Sequence, residues 1–236
     1  MRINKFLSNS GIGSRRKCDE LIALGKVSIN NKKISDFSYQ VNHTDIVKVN
    51  GKNISNQKKI IFKLNKPIGY ISTSSDPKNK APTVISLIDT KLRLYTVGRL
   101  DLESSGIILV TNNGNLCYKL THPKFEIEKK YFVKTKQKID QNKINMFEKG
   151  YKLNDNKQIY HAKIKLKSIK NDFYVWKIIL KEGKKREIRN IFKFFNTKIY
   201  SLHRYSFANI KLNNLKKGQY KKLTNHEMKV LNNILE

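Results

Sequence analysis

The sequence predicts an α+β protein in two unequal parts, and three observations carry that expectation. In residues 60–236, segments that read as strands outnumber those that read as helices and alternate with them irregularly, unlike the regular repeat of a parallel sheet. Residues 1–51 form a separate pattern of two helices and several short strands. Between the parts, KNISNQKK (52–59) has no apolar periodicity and reads as a linker. With 236 residues and a 39% hydrophobic share, the chain can build one large domain and one small one.

In the smaller part, Ile3, Phe6 and Leu7 have helical spacing, and SNSGIG stops that helix. Ser14 is placed to cap RRKCDELIAL, where Cys18, Leu21 and Ile22 share a face and Gly25 suits a left-handed terminus. KVSINNKKI reads as two short strands about Asn30-Asn31, and DIVKVNG as a strand ending in a turn. In the larger part, IIFKLNKP is a strand stopped by Pro67, and the apolar run GIILVT is a strand buried on both faces. KYFVKT, HAKIKLKSI and FYVWKIIL are further strands, with Ala162, Ile164 and Leu166 alternating in the second. KINMFEKG and KREIRNIFKFF are helices. In the latter, Ile188, Ile191, Phe192 and Phe195 line one stripe and leave Arg186, Arg189 and Asn190 at the opposite edge. Thr224 and Glu227 form a capping box for a last helix whose Met228, Leu231 and Leu235 face inward.

A net charge of +31 favours a polyanionic partner, either nucleic acid or an acidic membrane surface. Richness in Lys, Asn and Ile is what AT-rich coding produces, so part of the lysine excess is compositional. Only 8 of the 49 basic residues are arginine, and each of those suggests a role that needs a planar, multiply donating fork. No apolar run reaches the roughly 18 residues of a membrane span, and MRINKFLSNSG lacks a signal-like stretch, so secretion is not expected. Cys18 and Cys117 are isolated, which fits a reduced, cytosol-like compartment. The five histidines show no ligand spacing and no metal site is expected; without GxxxxGK[ST] or GxGxxG, no nucleotide cofactor is expected either. Ser104 and Ser105 lack a GxSxG setting and a histidine placed to help, and read as turn-capping residues.

One carboxylate stands out in this basic chain. Asp101, in VGRLDLESSGIILVTNNG, sits in a polar turn at the mouth of the buried strand, where it can be shielded from water. Alone, such an aspartate is a turn former. Arg99, two residues away, would hold it ionised, and the basic surroundings would bring it an anionic substrate. The residues thus allow a lone ionised carboxylate acting on a cationic centre of a nucleic acid.

The segment GRLDLESSGIILVTNNG resembles the signature GRLDxx[ST]xGLLLxTxDG of the pseudouridine synthases. It is most similar to the branch that modifies single uridines of small- or large-subunit ribosomal RNA. KPIGYISTSSDPKNKAPTVISLI, EKKYFVK, EGKKREIRNIF and LHRYSFANIKL with KKGQYKKLT resemble further segments of that family in the same order. Residues 1–51, with SRRKCDELIALGKVSIN, resemble the small RNA-binding domain first described in ribosomal protein S-four. Departures are Asn113 for a usual Asp, Asn190 for a usual Arg, and Ala208-Asn209 for a Gly-containing pair.

The resemblance implies a mixed, mainly antiparallel sheet with flanking helices over residues 60–236. It also implies that uridine is isomerised to pseudouridine on a flipped-out nucleoside. Asp101 would act on the ribose or uracil, Arg189 would pair with it, and Tyr131 would stack on the base and accept the proton at carbon 5. Leu202 would pack on the other side of the base, and Arg99 would fill the stack the uridine left. In the small domain Arg2, Lys5, Arg15, Arg16 and Lys17 would form a basic RNA-binding face. The SDP segment and the WKIILKEG strand point to the large subunit, with a small-subunit target as the alternative. A non-catalytic ribosome-assembly factor and a nucleobase glycosylase are rivals of other classes. The expected partner is a structured ribosomal RNA stem-loop, with no membrane and no cofactor, and the chain is expected to act as a cytoplasmic monomer.

Overall fold

The computed structural model describes residues 1–74, 81–153 and 158–235. The SDP triplet at 75–77 therefore lies outside the described residues. Cα packing separates two compact units, one of residues 1–60 with 90–94 and 112–114, the other of the remainder.

In the first unit, helices α1 (Ile3–Asn9) and α2 (Arg15–Ala23) precede strands β1 (Val27–Ile29), β2 (Lys32–Lys33), β3 (Val47–Val49) and β4 (Lys52–Asn53). Ser14 caps α2 by accepting from the Lys17 amide. Gly25, at φ +62°, lets the Lys26 amide turn back to the Leu21 carbonyl and close the helix. Asn30 and Asn31, both at positive φ, make the two-residue turn between β1 and β2. The sheet order is β2-β1-β3-β4, over a core of Ile3, Leu7, Cys18, Ile22, Val27 and Val47. One reading is corrected here. Lys52 and Asn53, read as the start of a linker, pair with Val49 and Lys48 as β4, and Ile54 packs on the core. Asn50-Gly51 is a hairpin turn that brings the chain back, and a two-residue strand is too short to show periodicity.

The second unit is built on β5 (Ile61–Lys66), β6 (Tyr95–Val97), β7 (Ser105–Thr111), β8 (Lys129–Thr135), the short pair β9 (Tyr151–Lys152) and β10 (Ile159–Tyr160), then β11 (Lys163–Lys170) and β12 (Phe173–Leu180). β13 (Ser201–Phe207), β14 (Ile210–Lys211) and β15 (Tyr220–Lys222) complete it. Helices α3 (Gly114–Thr121), α4 (Gln141–Lys149), α5 (Glu187–Phe194) and α6 (Asn225–Leu235) flank the main sheet. That sheet runs β11-β12-β8-β13-β7-β5-β15, and among the described residues its strands pair antiparallel except for β13 with β7. It is the mixed, mainly antiparallel sheet the sequence predicts.

Every residue of β7 is buried, as its apolar run requires. One core gathers Val133, Phe147, Trp176, Ile188, Ile191 and Phe192 under α4 and α5. Another gathers Val97, Leu109, Leu120, Phe207 and Leu231 under α3 and α6. The Thr224–Glu227 capping box forms, with the Thr224 amide donating to Glu227 and the Glu227 amide to Thr224. At the start of β11 the alternation holds for Ile164, as for Ala162 just before the strand, but fails at Leu166, which is exposed. Leu166 is still in register, opposite Trp176, but it lies on the edge strand just before a register shift between Leu166 and Ser168.

Candidate active site

Two short segments fix the Asp101 turn. The Ser104 amide donates to the Asp101 carbonyl at 3.0 Å, closing a four-residue turn. Ser72, buried in the KPIGYIS segment, donates to the Leu100 carbonyl at 2.8 Å and accepts from its amide at 3.0 Å. Lys66, at the end of β5, has no exposure. Its ammonium donates to the carbonyls of Ser104 at 2.7 Å and Pro67 at 3.0 Å, with Leu102 at 3.5 Å. The Gly69 amide holds the Leu102 carbonyl at 2.9 Å. A loop whose carbonyls are held this way presents its carboxylate in one place.

Across from that turn, α5 supplies the counter-charge. Arg189 Nε lies 3.4 Å from Asp101 Oδ2, an ion pair without hydrogen-bond alignment. Its other nitrogens reach Glu103 at 3.2 Å and Ser104 Oγ at 3.4 Å. Arg186, the left-handed N-cap of α5 at φ +53°, stands 4.0 Å from the same Oδ2. A non-glycine residue in that region is strained, and such strain concentrates at functional sites. Arg99 is exposed and makes no ion pair among the described residues, so the partner for Asp101 expected two residues away comes instead from α5. The Asp101 side chain is also less shielded than its position before a buried strand suggests, at 37% exposure.

The carboxylate faces a cavity of about 240 Å³. Four other sequence-predicted residues line it with Asp101: Arg99, Tyr131, Arg189 and Leu202. Tyr131 and Leu202 are buried, on adjacent strands β8 and β13, and their side chains point to the α5 side. Sequence reasoning missed the polar inner wall. Lys129, two residues before Tyr131 on the same face of β8, gives its ammonium to the Ile127 and Lys181 carbonyls at 2.8 and 2.9 Å. Burial lowers its pKa to about 8. Arg204 is buried with Nε on the Ile107 carbonyl at 2.8 Å. Glu187 is buried too; one oxygen accepts from the Lys184 amide at 2.9 Å while the other has no partner, and burial raises its pKa. The sequence signal was their two-residue spacing from Tyr131, Leu202 and Arg189.

Ser105 also departs from its reading as a turn capper. It opens β7, and its Oγ lies 3.0 Å from His203 Nδ1, because the parallel β7–β13 pairing brings a histidine 98 residues away beside it. Neither residue lines the cavity. In the first unit, Arg2 and Lys5 lie at the start of α1, and Arg15, Arg16 and Lys17 form the exposed first turn of α2. Lys17 is engaged at 2.9 Å by Glu20, an exposed pair of little energetic weight. Among the described residues no group of histidines, cysteines and carboxylates could hold a metal, and no helix is long and apolar enough to cross a membrane.

A mixed sheet carrying one arginine-flanked carboxylate over a base-sized cavity, in a chain with a basic helical module, defines a nucleic-acid-modifying protein. Residues 60–194 match the family described as RNA pseudouridylate synthase, and residues 1–47 match the S4 domain. A ribosomal large subunit pseudouridine synthase B of Bacillus subtilis is 34% identical over 98% of this chain and 95% of its own length. One of the same name from Buchnera aphidicola of Schizaphis graminum is 36% identical over 99% and 94%. A crystal structure of a pseudouridylate synthase superposes with a TM-score of 0.70 at 25% identity, covering 98% of this chain and 99% of that one. The chain belongs to the RNA pseudouridylate synthase family and is an RNA pseudouridine synthase with an N-terminal S4 domain.

Proposed function

We propose that the protein converts a single uridine of ribosomal RNA, in the large subunit, to pseudouridine, with Asp101 as the catalytic carboxylate. The ribosomal substrate rests on the names of the two bacterial relatives, which span nearly the whole chain. The observation that carries the residue assignment is the convergence of Asp101, Arg189, Tyr131 and Leu202 on one cavity.

In this reading the uridine leaves its stack and enters the cavity, and Arg99, exposed at the rim, takes up the vacated position. The bond from uracil N1 to ribose C1′ breaks, the base turns, and a bond forms from C5 to C1′. N1 gains a proton and C5 loses one, so substrate and product are isomers and the balance needs no co-substrate. The carboxylate acts either by attack at C1′ or by taking the C2′ proton to give a glycal. Both routes use the carboxylate oxygens, and the guanidiniums of Arg189 and Arg186 stand 3.4 and 4.0 Å from Oδ2. Tyr131 supplies a ring against the base and a phenol oxygen for the C5 proton. Residues 1–51 anchor the RNA through Arg2, Lys5, Arg15, Arg16 and Lys17, and residues 60–236 carry the chemistry of a cytoplasmic monomer.

The test is to incubate the protein with unmodified ribosomal RNA and map pseudouridine by carbodiimide-dependent reverse-transcription stops. Asp101→Asn is expected to lower the rate by more than about a thousandfold, as loss of a covalent or proton-transferring group does, with RNA affinity within about threefold of wild type. Substantial modification by that variant would falsify the assignment.

A further inference from the structure

A second, larger depression adjoins the active-site cavity and shares two walls with it. Arg186 and Arg189 line both. Beyond them the depression, of about 990 Å³, is lined by Lys136 just past β8, Lys193 from the last turn of α5, and Lys198 and Tyr200 from the segment leading into β13. Five cationic side chains thus converge and the lining contains no carboxylate. Among the described residues, Lys136, Lys193 and Lys198 have no ion-pair partner. Tyr200 is 46% exposed, and the ammonium groups of Lys136 and Lys198 stand 5.7 and 5.4 Å from its ring centre.

Unpaired cations gathered in one open concavity repel one another unless an anion joins them. An exposed ring flanked by lysines is the arrangement that stacks a base while its phosphates are neutralised. We propose that this depression binds the RNA strand next to the target uridine. One flanking base would stack on Tyr200, and the phosphates on either side would be held by Lys136, Lys198 and Lys193. Arg186 then stands where the two cavities meet, able to face a phosphate on one side and Asp101 on the other. The inference rests on the reading of Asp101 as the catalytic carboxylate and adds the path of the strand leaving it.

The test uses the full chain and a ribosomal RNA fragment carrying the modified site, with binding and pseudouridine formation measured separately. Tyr200→Ala is expected to raise Kd and KM roughly tenfold, the loss of one base stack, and the increase should exceed any loss in kcat. Tyr200→Phe keeps the ring and should bind like wild type. Lys136→Glu with Lys198→Glu should flatten the plot of log affinity against log salt by roughly 0.7 for each single-strand phosphate no longer neutralised. Wild-type affinity and salt slope in Tyr200→Ala and in the lysine pair would overturn the proposal, whether or not the wild-type protein forms pseudouridine. Weakened binding in those variants with no product from wild type would keep the strand path and remove the catalytic reading.

Discussion

Lys66 shows how much of this site depends on a residue that does not line its cavity. It is fully buried, and its ammonium ties the Ser104 carbonyl, at the end of the Asp101 turn, to that of Pro67 after β5. Burial brings its pKa from 10.5 down to about 8, with Arg204 acting in the same direction and Asp101 opposing. Between those values the unfolded chain keeps the proton and the fold does not. Stability therefore rises as pH climbs from about 8 toward 10.5, by up to ~1.4 kcal/mol per pH unit for one such group. Lys66→Met cannot contribute that slope. Urea unfolding at pH 7.5, 8.5 and 9.5 should show wild type gaining on the variant as pH rises; a constant difference would mean that Lys66 is not perturbed. At this scale the sequence made Asp101, Arg189, Tyr131 and Leu202 legible, because each sits in a recognisable short pattern. It left Lys66, Arg204 and the Ser105–His203 pair unread. Their partners lie 38, 97 and 98 residues away, and although Arg204 sits two residues from Leu202, no local spacing encodes which group each meets across strands.

Among the elements, the junction of β7 and β13 has the least room for change. Gly106 has φ +114° and pairs in parallel with Arg204, and a Cβ on it would collide with the Arg204 carbonyl oxygen and lie 2.6 Å from its nitrogen. The glycine two residues past Ser104 is thus where two backbones meet behind the Asp101 turn. Gly106→Ala must move β13, taking Leu202 and Arg204 with it. The expected loss is about 3 kcal/mol or more, from backbone strain and displaced packing. Urea denaturation measures it, and a loss below about 1 kcal/mol would show that the strands separate freely. Elements with long periodic or uniform patterns, such as β7, α5 and α6, were plain in the sequence. β4 was not, and in β11, which was read as a strand, the exposure of Leu166 was not. One is set by a turn and has too few residues to show a period, and the other lies at a sheet edge where an exposed leucine costs little.

For the whole molecule, the open question is how a charge of +31 is used. If the lysine background alone held RNA, any two exposed cations would be equivalent and only their number would matter. The first unit argues otherwise, since Arg15 and Arg16 lie side by side in the capped first turn of α2, where free amides and forked guanidiniums can meet phosphates together. Arg15→Glu with Arg16→Glu is compared with Lys143→Glu and Lys149→Glu on α4, which changes the net charge equally. All four side chains are exposed, so both variants should fold. The arginine pair is expected to flatten the plot of log affinity against log salt by roughly 0.7 to 0.9 for each phosphate it would otherwise neutralise, about 1.4 to 1.8 for both. The lysine pair should stay near wild type. Filter-binding titrations between 50 and 300 mM salt give the two slopes. Equal slopes would mean that the small unit adds charge to the surface without gripping the RNA at defined phosphates.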